Sequence, residues 1–339
     1  MSIISGSNEV LSVAIIGAGQ VGQAQAQAFA GLGPDVKLLG IADTDVSRAN
    51  SLAANCGTRA FGDYQSLLAL SPNIAVICLP HHLHREVGVA AAQNGSHILM
   101  EKPLAPTLAE ARAILAATEE YGVRLTVSFV HRYRSEFQRA RQLISAGELG
   151  TLSMILDVFG LSGGPHIPSW VWSSRHLGGG ILMYSGIHSL DWQRWLVGSD
   201  IVEVFAQATT YSRSTDAESG VVTNLRFANG CLGALVGNQP GYRVTPRTRS
   251  TEIYGSTACL RLRSGAHLEF NGHDLSYRHE VTQDNPFISQ AREFVAAVRE
   301  SREPWITGAD GLQAQAAILA IFRSAESGQP VTVADMLEL

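Results

Sequence analysis

Charge is scarce in this chain. Its 339 residues carry 25 Lys and Arg against 30 Asp and Glu, 16% of the composition and a net charge of −5. A protein that holds a phosphate backbone by releasing counterions needs a basic excess, so nucleic acid is not an expected partner. Long apolar runs are missing too. The longest, such as 74–79, fall far below the ~20 residues that cross a bilayer, so a membrane protein is not expected. The first ten residues have neither a basic start nor a long apolar stretch, which makes the cytoplasm the expected location. Cysteine is rare: Cys56, Cys78, Cys231 and Cys259 stand far apart without paired metal spacing and read as small buried hydrophobes.

Apolar mass, by contrast, is ample. Hydrophobic residues make up 45%, enough for a large core and against global disorder. At 36.3 kDa the chain exceeds what one core usually organises, so two domains are expected. The first third alternates strands over 11–16, 36–42, 74–79, 97–101 and 123–129 with helices ending near Gly31 and over 46–55, 64–70, 83–94 and 108–121. Strands separated by helices pair in parallel, which predicts a doubly wound α/β sheet over 1–126. The pattern then changes. A helix over 135–146 precedes strands joined by tight turns, with hairpin signals at Asn229-Gly230 and Asn271-Gly272, and two helices over 288–300 and 312–327. Residues 127–339 therefore read as a second, α+β domain with antiparallel pairing.

Gly17, Gly19 and Gly22 in IIGAGQVG form G-x-G-x-x-G directly after a strand, with Gln20 and Val21 opening the helix. Gly17 allows the tight turn, Gly19 lets a pyrophosphate approach the backbone, and Gly22 lets helix and strand close up. Asp43, about twenty residues on, stands where a carboxylate accepts the ribose hydroxyls. It would repel a 2′-phosphate, so NAD is favoured, while Arg48 leaves NADP open as the lesser reading. Leu79, Pro80, His81 and His84, and Glu101 with Lys102, fall near the carboxyl ends of strands, where ligands of such sheets collect, and are expected to bind the cofactor. His81, His82 and His84 lack a carboxylate or Cys partner at metal spacing, so no metal is expected.

IIGAGQVG, CLPHHLH, HILMEKPLA, GGGILMYSGIHSLD and the closing FVAAVRESREPWITGADGL together resemble the glucose–fructose oxidoreductase/inositol dehydrogenase/MocA family, nearly end to end. The resemblance implies an N-terminal Rossmann domain and a C-terminal domain with a large open, mainly antiparallel sheet. NAD(P) and a sugar, cyclitol or related ring compound would meet between them, in a homodimer or homotetramer. It also implies that Lys102 of the Glu-Lys-Pro motif contacts the reacting oxygen, with Pro103 fixing the turn in cis. An ammonium there stabilises the alkoxide-like charge that develops as hydride moves.

Tyr184, His188, Asp191 and Trp195 follow Gly178-Gly179-Gly180 at i, i+4, i+7 and i+11, which predicts one helical stripe. His188 matches the family's histidine, and an imidazole exchanges protons with a hydroxyl near neutral pH. Where dehydrogenases of the family carry Asp in GGGxLxDxGxH, this chain has Tyr184, a phenol that a nearby Lys102 ammonium would make more acidic. That pairing is similar to the family's ketoreductase and dihydrodiol dehydrogenase branches. His188 and Tyr184 both stand as proton carriers. Trp170, Trp172, Arg175 and His176 suit stacking on a ring and hydrogen bonding to its hydroxyls. With Arg132 and Asp191 they form the expected substrate-binding set. The leading reading is an NAD(P)-dependent oxidoreductase acting on a ring hydroxyl or ketone. A redox-neutral hydrolase or epimerase that recycles NAD, and a non-catalytic NAD(H)-sensing regulator, remain open beside it.

Overall fold

The computed structural model describes residues 10–161, 180–210, 217–239, 248–273, 275–280, 282 and 284–338. The chain divides into two compact units, Met1–Val130 with Asp284–Leu312, and His131–Gln283 with Gln313–Leu339.

The first unit runs β1 (Leu11–Ile16), α1 (Gln20–Ala30), β2 (Val36–Ala42), α2 (Val46–Asn55), β3 (Ala60–Phe61), α3 (Tyr64–Leu68), β4 (Ile74–Ile77), α4 (His84–Gln93), β5 (His97–Met100), α5 (Leu108–Glu120) and β6 (Leu125–Val127). Its strands lie in the order β3-β2-β1-β4-β5-β6, every pair parallel. This is the doubly wound Rossmann sheet that the alternation predicted. All four residues of β4, IAVI, are buried, as a strand covered by helices on both faces requires. Helix starts follow local chemistry. Asp45 and Asp63 cap α2 and α3, and Thr107 and Glu110 close a capping box on α5. α3 stops at Leu68, short of the predicted 70, and Ser71 just beyond it takes a φ of 52°. Val13, Ile15, Phe29 and Val76 form a core that also takes in Ala291, Phe294 and Val295. Those three belong to the much later helix over Pro286–Arg299.

The second unit begins with α6 (Ser135–Ser145), β7 (Leu152–Gly160), α7 (Ile187–Val197), β8 (Ile201–Thr209), β9 (Gly220–Phe227) and β10 (Leu232–Asn238). It continues with β11 (Thr248–Gly255), β12 (Ala258–Arg263), β13 (His267–Gly272) and β14 (Ser276–Glu280). After α8 (Pro286–Arg299) come α9 (Gly308–Ser327), β15 (Val331–Thr332) and α10 (Val333–Leu337). Nine strands form one sheet in the order β14-β13-β12-β11-β7-β10-β9-β8-β15. Both predicted hairpins are present, as β9/β10 and β13/β14. One pair departs from the antiparallel expectation: β7 and β10 run parallel, which the long connection through α7, β8 and β9 permits. Along β7 and β9 inward residues are buried while Val158 and Val222 stand half exposed on the other face. α6 and α7 pack on the sheet. The fold class is thus a Rossmann α/β sheet followed by an α+β unit with a large, mainly antiparallel sheet.

Candidate active site

Close approach dictates the glycine turn. Gly17 has a φ of +102°, and a Cβ there would lie 2.2 Å from the Cys78 carbonyl oxygen. At Gly22 it would lie 1.9 Å from the Gly17 carbonyl oxygen, so neither position accepts a side chain. Gly19 differs. A Cβ there would meet nothing within 4 Å, and Gly19 is the N-cap of α1, whose first turn has no side-chain cap. Open space and uncapped N–H groups at a helix start suit an anion. Gln20 and Val21 are exposed beside it.

Asp43 follows β2 directly. Its Oδ2 accepts the Ala18 N–H at 2.8 Å, fixing the carboxylate against the glycine turn, and its Oδ1 accepts the Asp45 N–H at 2.8 Å. Arg48 Nη2 donates to Oδ1 at 3.1 Å. Asp43, Ile16, Tyr64, Leu79 and Val87 line a cavity of about 270 Å³. Tyr64 Oη donates to Glu86 Oε1 at 2.7 Å, and burial together with that carboxylate pushes its phenol up to about 12. Apolar walls with Asp43 at one side, Asp63 and Glu86 also lining the cavity, fit a nucleoside.

Two loops at strand ends complete this edge. Leu79 and Pro80 follow β4, and Lys102-Pro103, joined by a cis peptide bond as the resemblance implied, follows β5. His84 is fully buried and bridges the two loops. Its Nε2 lies 3.0 Å from the Leu79 carbonyl oxygen, and its Nδ1 lies 2.9 Å from that of Pro103 and 3.3 Å from that of Leu104. Burial pushes its pKa down against the pull of those carbonyls. His81, also buried, sets its ring 5.6 Å from that of His84. Glu101 turns into the protein: Gln25 Nε2 lies 3.3 Å from its Oε1, and 3.2 Å from both Ser128 Oγ and Gln290 Oε1. Burial pushes the Glu101 pKa up, and the Lys102 ammonium opposes this. Gly19, Asp43 and Leu79 therefore border open space, Gly17 packs beneath them against the Cys78 carbonyl, and His84 and Glu101 bond to protein groups.

In the second unit, Gly180 has a φ of +93°, and the Glu218 carboxylate comes so near that a Cβ would lie 2.3 Å from Oε2. Glu218 Oε1 accepts the Leu182 N–H at 2.8 Å, and its main-chain oxygen accepts the Ile181 N–H at 3.1 Å. A π-helical turn, Leu182–Gly186, then leads into α7. The predicted single stripe is broken there. Tyr184 sits on the wide turn while His188, Asp191 and Trp195 ride the α-helix, so Tyr184 and His188 do not share α-helical i, i+4 spacing.

His188 is buried, with its ring edge-to-face at 4.7 Å from His131, which contacts Trp192 at 5.2 Å. Arg134 Nε donates to His131 Nδ1 at 3.0 Å. Asp191 and Arg132 form a buried fork, Nε to Oδ2 at 2.9 Å and Nη2 to Oδ1 at 2.5 Å. Three further groups near α7 escaped the sequence reading. The Arg249 guanidinium lies 4.5 Å from the Trp192 ring and 4.8 Å from the Phe159 ring, and Nη2 donates to Ser185 Oγ at 2.7 Å. Buried Asp157 accepts from Thr251 Oγ1 at 2.6 Å, with burial raising its pKa against Arg249. Glu218 is the third. Arg249 and Asp157 reach α7, and Glu218 the turn leading into it, from strands or loops distant in sequence, so no local motif announced them. Trp170, Trp172, Arg175 and His176 lie outside the described residues. Among the described residues no three His, Cys, Asp or Glu side chains gather as metal ligands, and no helix is long and apolar enough to cross a membrane.

Comparison with known proteins agrees with this architecture. Residues 11–129 match an oxidoreductase family with an NAD-binding Rossmann fold, and residues 137–261 match the GFO/IDH/MocA C-terminal domain. D-glucoside 3-dehydrogenase of Escherichia coli (strain K12) is 27% identical, covering 95% of this chain and 97% of its own. Myo-inositol 2-dehydrogenase of Thermotoga maritima is 23% identical, covering 96% and 100%. An oxidoreductase domain protein from Kribbella flavida has the same fold, with a TM-score of 0.87 at 24% identity over 95% of this chain and 99% of that one. With the glycine turn, Asp43 and both domain matches in place, the chain belongs to the GFO/IDH/MocA family and is an NAD(P)-dependent oxidoreductase.

Proposed function

We propose that the protein transfers a hydride between the nicotinamide of NAD(P), with NAD preferred, and a ring hydroxyl or ketone of a sugar, cyclitol or related small cyclic compound. The observation that carries this reading is the glycine turn locked to Asp43 through the Ala18 amide, beside a cavity of about 270 Å³, in the same unit as Lys102. These residues fit a dinucleotide. Gly17, Gly19 and Gly22 with Gln20 and Val21 would cradle its pyrophosphate, Asp43 would accept its ribose hydroxyls, and Leu79, Pro80 and His81 would lie along it. When bound, the coenzyme supplies the hydride acceptor or donor. His84 and Glu101 serve it by holding the loops that carry Leu79 and Lys102.

Lys102 places an ammonium on the reacting oxygen and stabilises its developing negative charge. His188 or Tyr184 exchanges the proton with the substrate hydroxyl. In this reading Trp170, Trp172, Arg175 and His176 contact the substrate ring, while Arg132 and Asp191 act by holding α7. Relatives named for a glucoside and an inositol support the substrate class. We assign coenzyme binding to residues 1–126, and substrate binding and self-association to 127–339, in a cytoplasmic homodimer or homotetramer. The exposed Met154, Val158, Phe205, Val222 and Leu232 of the nine-stranded sheet support the self-association.

The test pairs binding with turnover. Calorimetric titration of the whole chain with NADH should give heat, and a panel of sugars and cyclitols with NAD⁺ should identify a substrate that accumulates NADH. Lys102→Ala should then lower turnover about 10²–10³-fold while NADH still binds. Wild-type turnover by that variant would remove Lys102 from the chemistry, and an absence of binding heat would overturn the coenzyme reading.

A further inference from the structure

The turn that carries Tyr184 is held from both ends by opposite charges. In the π turn Leu182–Gly186 the Ile187 N–H donates to the Leu182 carbonyl oxygen, five residues back. Such turns are rare within helices and persist where surrounding groups over-determine them. At its start the Glu218 carboxylate accepts the Leu182 N–H at 2.8 Å. At its end Arg249 Nη2 donates to Ser185 Oγ at 2.7 Å and lies 3.5 Å from the Ser185 carbonyl oxygen. An anion on the leading N–H and a cation at the trailing oxygens match the polarity of a helical turn.

Arg249 is itself fixed. It pairs with Phe159 across β11 and β7, and its guanidinium lies 4.8 Å from that ring and 4.5 Å from the Trp192 ring on α7. Two residues along β11, Thr251 ties Asp157 in place at 2.6 Å, and the buried Asp157 carboxylate attracts the guanidinium. A planar guanidinium stacked on two rings has little freedom left to lose on meeting Ser185. Ser185 adjoins Tyr184, so the bond fixes the backbone from which the half-buried phenol projects. His188, by contrast, is buried with its ring against His131.

We infer that Arg249 is a positioning residue for proton transfer: by clamping Ser185 it holds the π turn in the register that presents the Tyr184 phenol to the substrate. The inference rests on the proposed function and, within it, assigns the proton exchange to Tyr184.

The test follows kcat on the sugar or cyclitol that accumulates NADH, with NADH calorimetry alongside. Tyr184→Phe should lower kcat about 10²-fold or more. Arg249→Met should lower it about ten- to a hundredfold, the cost of a reacting group misplaced by about 1 Å. Ser185→Ala, a smaller cut that keeps the guanidinium, should lower it about three- to tenfold. Arg249→Lys keeps the charge and should recover part of the loss, and every variant should bind NADH as wild type does. The signature is coupling: in the Tyr184→Phe background, Arg249→Met and Ser185→Ala should each cost less than about twofold more. A residue that only stabilises the fold would lower kcat by the same factor in both backgrounds, and that result would overturn the inference. So would a crystal structure of Arg249→Met in which turn 182–186 and the Tyr184 phenol keep their places. Wild-type turnover by Tyr184→Phe would give the proton to His188 and remove the inference while leaving the hydride-transfer reading standing. No turnover by wild type on any sugar or cyclitol would overturn that reading, and this inference with it.

Discussion

Replacing Asp191 by Asn tests whether the Arg132–Asp191 fork is scaffold or substrate contact. Asn keeps the shape of the side chain and removes its charge, leaving the Arg132 guanidinium, whose side chain is only 6% exposed, without the carboxylate it now holds. Breaking one side of a buried pair costs about 3–5 kcal/mol. The guanidinium also lies over the Trp195 ring at 5.6 Å, a cation–π contact that survives the change and points to the lower end of that range. At about 2–4 °C per kcal/mol for a unit of this size, a loss of about 3 kcal/mol lowers its melting midpoint by about 6–12 °C. Differential scanning calorimetry reads the shift directly. The double variant Arg132→Met/Asp191→Leu should recover most of it, because two apolar side chains replace a buried pair at little cost. If Asp191→Asn melts within about 2 °C of wild type while KM for an identified substrate rises steeply, the carboxylate faces the substrate and the scaffold argument is wrong.

Gly180→Ala forces a side chain into left-handed backbone and against the Glu218 carboxylate, so stability should fall by about 1–3 kcal/mol. Turnover should fall with it while NADH affinity holds, and an unchanged denaturant midpoint would show that the contact yields freely. For His84, burial lowers the folded pKa below the unfolded value of about 6.5, so the unfolded chain takes up a proton first and stability is lost as pH falls below about 6.5. The slope has a ceiling of about 1.4 kcal/mol per pH unit for one proton. Buried Glu101 and Asp157 have raised pKa values and act with the opposite sign, so the measurement is a comparison: urea unfolding at pH 7.5 and 5.5 should show less stability lost on acidification in His84→Asn than in wild type. Equal slopes would mean that folding leaves the proton affinity of His84 unchanged and that burial does not lower it.

Local pattern carried far in the first unit and less far in the second. Parallel pairing, the glycine turn and Asp43 were all legible because each rests on short-range chemistry: residue spacing, φ at Gly17, and strand ends that collect ligands. The roles of His84 and Glu101 were not. Both sit among residues that also read as cofactor-facing, yet their side chains meet the Pro103 carbonyl and Gln25, partners that no spacing rule supplies. Spacing also misled at Tyr184, because a π turn and an α turn place the same sequence offset differently, and nothing in LMYSG distinguishes them.

By itself, then, the sequence determined the class of fold, the dinucleotide turn and the identity of the groups available for proton and hydride chemistry, since those follow from periodicity and from functional groups with known reactivity. Only the tertiary structure decided which of those groups are already engaged. Asp191 is held by Arg132, Asp43 is shared with Arg48, and Gly180 is fitted to Glu218. A side chain's capacity to bond is written in its chemistry, but whether that capacity is already spent depends on neighbours that folding brings from distant positions.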